Sequence, residues 1–131
     1  MITQLTHTSL LVKDQEEALK FWQKLGFNKK DDTPMGPNQR WLTITCQAQP
    51  EVEIILQKAD WGAGDQTEQE RDAQIGKQPG FCFASDNIEE DYKRLKQAGV
   101  TLLGKPSQQP WGKQLLFKDL YGNTHVIVQS L

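Results

Sequence analysis

One segment of the chain carries apolar residues at the spacing of an amphipathic helix. Ala18, Leu19 and Trp22 recur at intervals that place them on one helical face. Asp14 precedes them, and its short carboxylate can accept the free amide hydrogens of a first helical turn. Gly26 follows them, and glycine commonly ends a helix because it adopts positive φ at no steric cost. The pattern therefore predicts a helix between Asp14 and Gly26.

The second half of the chain repeats this pattern. Residues 14–27 match residues 86–100, and residues 52–57 match residues 124–129. The first match needs Ile88 as an insertion, after which an aspartate, a Glu-Glu pair, a lysine and the closing glycine coincide. Asp86 and Gly99 are then the predicted cap and end of a second helix. A duplicated unit is the simplest explanation.

Short apolar or β-branched runs surround the two helices and predict strands. These runs are Thr8–Val12, Gln39–Cys46, Val52–Gln57, Phe81–Ala84, Thr101–Gly104, Gln114–Phe117 and Thr124–Gln129. Each half thus reads as a strand, a helix and up to three further strands, although only two runs are clear after the first helix. The order predicts an α+β protein built from two βαβββ repeats.

The repeats divide the chain into three parts. We expect the first repeat over residues 1–58, a connector over residues 59–79 and the second repeat over residues 80–131, all within one domain. A short polar helix is predicted over Thr67–Gln74 in the connector. Trp61 should be partly buried, either by ordinary packing or as part of a lid or dimer contact.

Composition narrows the possible functions. The 131 residues are 37% hydrophobic with a net charge of −2, and the mean hydropathy is −0.64. Such a polar chain suits a sheet with a large open face, or burial of further surface in a homodimer. The scattered basic residues argue against nucleic acid. We also expect no membrane segment, no export signal and therefore a cytoplasmic location. Cys46 and Cys82 lie in apolar runs and are expected to be two buried thiols.

Two motifs resemble a known family. The opening block runs from His7 to Asp14 and is followed by Phe21-Trp22 and Leu25-Gly26-Phe27, and the closing block is Lys118-Asp119-Leu120-Tyr121-Gly122-Asn123. In this order they resemble the vicinal oxygen chelate superfamily of glyoxalase, bleomycin-resistance and extradiol-dioxygenase proteins, with Leu120 where proline is usual. The resemblance implies two βαβββ units that form a cup-shaped mixed β-sheet with flanking helices. It also implies frequent dimers, with the cup formed within one chain or across two.

The superfamily commonly binds a divalent metal through residues of the first and last strands of each unit. His7 stands at the first of these positions, seven residues before Asp14. The same count from Asp86 reaches Pro79, with Gly80 and Phe81 beside it, and none of these can bind a metal.

The last strand of each unit is also expected to lack a side chain that can bind a metal. The resemblance places a ligand at Val126, four residues after Gly122, and the repeat maps Val126 onto Ile54. Glu53 and His125 then fall on the opposite face of their strands, because side chains alternate. We therefore expect no cofactor.

A second interpretation keeps the divalent metal. A β-bulge in each last strand would turn Glu53 and His125 toward His7. These three side chains would then form a two-histidine, one-carboxylate metal site.

Without a metal, the predicted cup is a pocket for a small, partly aromatic or amphiphilic ligand. The candidate ligand-binding residues are His7, Ser9, Leu11, Trp41, Trp111, Phe117 and Tyr121, with Arg40 or Gln114 as orienting polar groups. For each aromatic residue, ordinary core packing is the alternative. Three classes of function follow: a small-molecule-binding protein, a metal-dependent lyase, isomerase or dioxygenase, and a dimeric interaction module. We favour the first.

Overall fold

A computed structural model describes residues 1–61 and 64–131. These residues form two compact units, Met1–Ile75 and Gly76–Leu131. Each unit has its own sheet and helices, and the α+β class predicted from the sequence is confirmed. Within the described residues, no helix combines the length and apolar character needed to span a bilayer.

The first unit is a complete βαβββ repeat followed by a short helix. Its elements are β1 His7–Val12, α1 Gln15–Lys24, β2 Asn28–Pro34, β3 Arg40–Cys46, β4 Gln49–Lys58 and α2 Glu68–Ala73. The sheet order is β1-β4-β3-β2. β1 is parallel to β4, whereas the other neighbours are antiparallel. Thr67 caps α2 in a capping box, as expected for the predicted connector helix.

The helix α1 begins and ends as its sequence predicts. The Asp14 carboxylate accepts the amide hydrogen of Glu17 at 2.9 Å, and Gly26 follows the helix with φ 98°. The buried side chains of α1 include Ala18 and Trp22. They cover the sheet face that carries Leu10, Val12, Leu42, Ile44, Ile54 and Leu56, all buried. This face is the core of the first unit.

The opposite face of the first sheet is called the distal face below. By strand alternation it carries His7, Ser9 and Leu11 from β1, Trp41 and Thr43 from β3, and Glu53, Ile55 and Gln57 from β4. Six of these eight side chains are polar or aromatic with a polar atom at one edge, in contrast to the aliphatic core face. The distal face is therefore where the first unit can offer chemistry.

Strand β2 escaped prediction because all of its residues are exposed. Its sequence, Asn-Lys-Lys-Asp-Asp-Thr-Pro, lacks the apolar alternation of a half-buried strand. Ion pairs contribute to its attachment: the Arg40 guanidinium donates two hydrogen bonds to Asp32, at 2.7 and 2.8 Å. A register shift between Lys29 and Asp32 marks a β-bulge.

The second unit repeats the order with one strand interrupted. Its elements are β5 Cys82–Ala84, α3 Ile88–Gln97, β6 Thr101–Leu102, β7 Ser107–Gln109, β8 Gly112–Lys118 and β9 Thr124–Ser130. The order is β5-β9-β8-β6, and β7 pairs with β8. The short strands β6 and β7 thus take the place that β2 holds in the first unit. β7 was not predicted.

The cap of α3 is Asn87, so the prediction of Asp86 is wrong. The Asn87 side chain accepts the amide hydrogen of Glu90 at 3.2 Å. The repeat aligns without an insertion when Asn87 is matched to Asp14, because the glutamate pairs and closing glycines still coincide. Ile88 is then the first helical residue, fully buried at 0% exposure. Gly99 follows the helix at φ 79°, as predicted.

The expectation of two buried thiols is wrong for Cys82. Cys46 is half-buried and Cys82 is exposed. Burial raises the pKa of the Cys46 thiol. In β5 the side chain of Phe83 turns toward the core aromatics Phe117 and His125. Alternation therefore sends Cys82 to the other face.

Candidate functional site

His7 and Glu53 meet on the distal face of the first sheet. They are direct neighbours across the parallel β1–β4 ladder. The His7 Nε2 atom lies 3.3 Å from the Glu53 Oε2 atom, with the side chains 33% and 14% exposed. The expectation that Glu53 faces away from His7 is therefore wrong. The error was the repeat alignment, which put Ile54 on the distal face, whereas Ile54 belongs to the core.

Thr43 fixes the position of the Glu53 carboxylate. The Thr43 hydroxyl accepts the amide hydrogen of Asp31 at 3.1 Å and donates its own hydrogen to Glu53 Oε1 at 2.7 Å. Asp31 lies in the β-bulge of β2, where the irregular register frees its amide from ordinary pairing. The polar, exposed strand β2 therefore helps to orient a partly buried carboxylate.

Two tryptophans stand beside this polar pair. The Trp41 ring centroid is 5.7 Å from that of His7 and 6.1 Å from that of Trp61, which meets it nearly edge-on at 78°. The Gln57 side-chain amide donates to the Trp61 carbonyl. Trp61 is half-buried, as predicted for this connector residue. We call His7, Trp41, Thr43, Glu53 and Trp61 the His7 cluster.

The other predicted ligand-binding residues occupy different surroundings. Ser9 and Leu11 share the distal face with His7; Ser9 is exposed and Leu11 is 6% exposed. Trp111 is 53% exposed at the turn between β7 and β8. Phe117 is 1% exposed and stacks on Phe83 in the core of the second unit.

Tyr121 and the two proposed orienting groups also have defined positions. Tyr121 is half-buried in the turn before β9, where its amide donates to Asp119. Arg40 forms ion pairs with Asp32 and Glu16. These contacts raise the pKa of Arg40 and tie strand β3 to its neighbours. Gln114 is half-buried on β8.

His125 is part of a buried hydrogen-bond network in the second unit. Its Nδ1 atom accepts the amide hydrogen of Phe81 at 2.9 Å, so its Nε2 atom carries the proton and donates to Asp119 at 2.8 Å. Burial raises the pKa of Asp119, but hydrogen bonds from His125 and Asn123 outweigh it, and the pKa lies below its usual range. The Asn123 amide group also donates to this carboxylate at 2.9 Å.

The bulge that would turn His125 onto the face of Val126 is not found. The β8–β9 ladder pairs every residue from Thr124 to Ser130 in regular register. His125 therefore lies on the core side of its strand, and Val126 lies on the other side. Within residues 1–61 and 64–131, no three His, Cys, Asp or Glu side chains converge on a common point.

The strand ladders correct the expected metal positions. With Asn87 matched to Asp14, the position equivalent to His7 is Gly80 rather than Pro79. β1 pairs Ser9 with Ile55 and β5 pairs Cys82 with Val126, so Val126 corresponds to Ile55 rather than Ile54. A Cβ atom on Gly80 would lie 1.7 Å from the Thr124 carbonyl oxygen.

A groove of about 410 Å³ lies beside α2, and none of its lining residues belongs to the His7 cluster. Its lining consists of Val12, Lys13, Lys58, Ala59, Asp60, Glu68, Asp72 and Ile75. Two of these lining residues, Lys58 and Asp60, form an ion pair at 3.8 Å. None of the residues predicted to bind a ligand belongs to it.

The chain contains two βαβββ units, and in each of them a helix covers one face of the sheet. This duplication defines its class of protein. The family model of the Glyoxalase/Bleomycin resistance protein/Dioxygenase superfamily matches residues 4–127. The chain belongs to this superfamily.

Known relatives match along nearly their whole length. The uncharacterized protein YurT of Bacillus subtilis (strain 168) is 35% identical over 125 residues, which cover 94% of this chain and 96% of YurT. The crystal structure of UcmS2 has a TM-score of 0.85 at 34% identity and 98% coverage of both chains. TnmS3, an antibiotic binding protein from Streptomyces sp. CB03234, has a TM-score of 0.80 at 28% identity, covering 99% of this chain and 98% of its own.

Sequence reasoning overlooked Thr43 and placed Glu53 on the wrong face. Thr43 lies two residues after Trp41 in a predicted strand, so alternation alone would have put both on one face. The contact between Thr43 and Glu53 depends on the register of β3 against β4, which no local pattern reveals. Trp61 was predicted to be partly buried, but its contact with Trp41 was not predicted.

Proposed function

We propose that this protein binds a small, partly aromatic or amphiphilic molecule at the His7 cluster. The observation that carries the proposal is the pair of tryptophans beside a hydrogen-bonded histidine and carboxylate on the distal face. Binding sites for small molecules combine aromatic walls with a few fixed polar groups. Trp41 and Trp61 supply the walls, and His7 and Glu53 supply the polar groups.

The donors at this site fit a bound divalent metal poorly. A catalytic zinc site has about three protein ligands and an open position. The positions equivalent to the superfamily's ligands hold His7, Gly80, Ile55 and Val126, so one of them has a donor side chain. Glu53 adds a second donor from a different position. This supports a protein whose function is binding without metal chemistry.

The relatives support the same proposal. TnmS3 is an antibiotic binding protein that shares the fold at a TM-score of 0.80. We extend its binding role, though not its ligand, to this chain.

We also propose that the protein is a cytoplasmic homodimer. The face of the second sheet away from its core carries exposed Cys82 and Ala84 and half-buried Leu116, Val126 and Val128. An apolar face of this kind suits contact with a second copy. A dimeric interaction module without a ligand is the competing function that this face favours, and ligand binding separates the two.

A thermal-shift screen of aromatic and amphiphilic compounds tests the binding function. A compound at about 100 times its Kd adds about 2.7 kcal/mol to the stability of the folded protein, which raises Tm by several degrees. Trp41→Leu should abolish the rise given by a hit, whereas Trp111→Leu should retain it. A panel that gives no rise, or a hit that survives Trp41→Leu, contradicts the proposal.

Metal analysis tests the alternative. The protein is purified without chelators, and its content of divalent ions is measured by mass spectrometry. An ion bound at one per chain and lost in His7→Ala and Glu53→Gln would favour a metal-dependent lyase, isomerase or dioxygenase.

A further inference from the structure

We propose that the His7 cluster selects ligands that carry a protonated amine next to an aromatic or apolar body. This inference rests on the proposed binding function and specifies the charge of the ligand. It follows from which hydrogen-bonding groups of the cluster are already engaged and from the acceptor capacity that remains on Glu53.

Glu53 retains acceptor capacity. A carboxylate offers about four lone-pair positions. The Thr43 hydroxyl occupies one on Oε1, and His7 Nε2 lies against Oε2 at 3.3 Å. With the side chain 14% exposed, the remaining positions can receive a donor from solvent. Partial burial strengthens an ionic contact there relative to one on the open surface.

The donors around Glu53 are engaged within the protein. The Thr43 hydrogen is directed to Glu53 because its oxygen accepts the Asp31 amide. The two ring nitrogens of His7 lie against Thr6 Oγ1, at 2.9 Å, and against Glu53. The cluster therefore presents an oriented acceptor to a ligand, which matches an ammonium group and disfavours an anion.

The basic side chains of β3 and β4 point elsewhere. Arg40 on β3 and Lys58 on β4 alternate onto the face opposite Glu53. Arg40 pairs with Asp32 and Glu16, and Lys58 pairs with Asp60. Neither occupies the place that a ligand ammonium would take.

The tryptophans extend this preference to the body of the ligand. An indole ring attracts a cation placed over its face more strongly than other aromatic side chains do. Trp41 lies beside His7, which contacts Glu53, and beside Trp61. An amine bound to Glu53 would lie next to Trp41, with its attached ring free to pack on the same tryptophans.

Three probes of one shape test this selection: 2-phenylethylamine, 2-phenylethanol and 3-phenylpropionate. Each is titrated into ¹⁵N-labelled protein, and the indole N–H signals of Trp41 and Trp61 are followed by NMR after assignment with Trp41→Phe and Trp61→Phe. We expect the amine to bind at least about fivefold more tightly than the alcohol, because a charge-assisted hydrogen bond is stronger than a neutral one. The carboxylate probe should bind most weakly.

Glu53→Gln should remove the preference for the amine, and Glu51→Gln, on the same strand, should retain it. Equal affinity for amine and alcohol, or tightest binding of 3-phenylpropionate, would overturn the charge selection while the binding function stands. If no probe moves either indole signal, the selection for amines fails, and the thermal-shift panel decides the binding function separately. If Glu53→Gln does not fold, the ranking of the three probes on the unaltered protein decides.

Discussion

His125 donates a 2.8 Å hydrogen bond from Nε2 to the carboxylate of Asp119, and their side chains are 0% and 1% exposed. The Asp119 carboxylate also accepts the amide hydrogens of Tyr121 and Asn123 at 3.0 Å. On its other side, His125 accepts the Phe81 amide hydrogen. One charged group thus closes the turn before β9, and its histidine partner connects that turn to the segment leading into β5.

Asp119→Asn should therefore destabilise the protein by about 2–4 kcal/mol, because several buried donors lose a charged acceptor. Urea denaturation at pH 7 measures the loss. Asp86→Asn, an exposed change in the same unit, is the matched control and should stay within about 0.5 kcal/mol. Equal losses in the two variants would show that the buried network contributes little.

The same carboxylate predicts a pH dependence. Its folded pKa lies below the usual range, so it contributes stability above the unfolded value of about 3.9 and loses that contribution as the pH falls further. The stability gap between the unaltered protein and Asp119→Asn should narrow below pH 4. Denaturation curves between pH 7 and pH 2.5 test this, and a gap that widens on acidification would contradict it.

The ion pair of Arg40 and Asp32 should also contribute less stability as the pH falls, but its contribution should be smaller than that of Asp119. The Arg40 hydrogen bonds lower the pKa of Asp32 to about 2, so its stabilising contribution is lost as the pH falls from about 4 toward 2. Asp32→Asn should cost less than about 1 kcal/mol at pH 7, because solvent and salt screen the pair. Asp31→Asn, on the same strand, serves as the control. A cost that persists undiminished at pH 2 would exclude the ion pair as its cause.

Thr43→Val removes one hydroxyl and almost no volume. The Asp31 amide and a Glu53 oxygen then lose their partner, at an expected cost of about 1–2 kcal/mol. Thr33→Val on exposed β2 should be near neutral. Urea denaturation gives both values. If Thr43→Val and Thr33→Val both cost little stability, Thr43 does not orient the Glu53 carboxylate.

Asn87→Ala should cost about 1 kcal/mol, since it removes the side chain that caps α3. Asp86→Ala, one residue earlier, should cost less than about half of that, since the helix dipole alone acts on an exposed charge there. A larger loss for Asp86→Ala would restore Asp86 as the effective cap.

Local patterns were sufficient for the helices and for most strands. α1 and α3 follow from apolar spacing, caps and terminal glycines, and the runs around Leu10, Ile44 and Ile127 follow from alternation. β2 could not be recognised, because its residues are polar and exposed and their pairing depends on Arg40 and on the neighbouring strand. β7 is too short to carry a pattern.

The candidate site could not be predicted in full, because it depends on how the strands pair, and local sequence patterns do not determine that register. Matching Asp86 instead of Asn87 to Asp14 introduced a false insertion, and the assignment of Ile54 to the distal face was also one residue out. Because strand side chains alternate, a slip of one residue moves a side chain to the opposite face. Glu53 was therefore misplaced, whereas Val126 and His125 were assigned to the correct faces.

The close approach of the Gly80 and Thr124 backbones limits how a metal site could be designed into this protein. A histidine or glutamate introduced there to add a metal donor would meet the Thr124 backbone before its side chain could reach any ion. Converting this scaffold to a metalloprotein must thus begin by widening the separation of two main-chain segments. The choice of donor comes afterward, so a library that varies only side chains at position 80 would return misfolded proteins instead of metal binders.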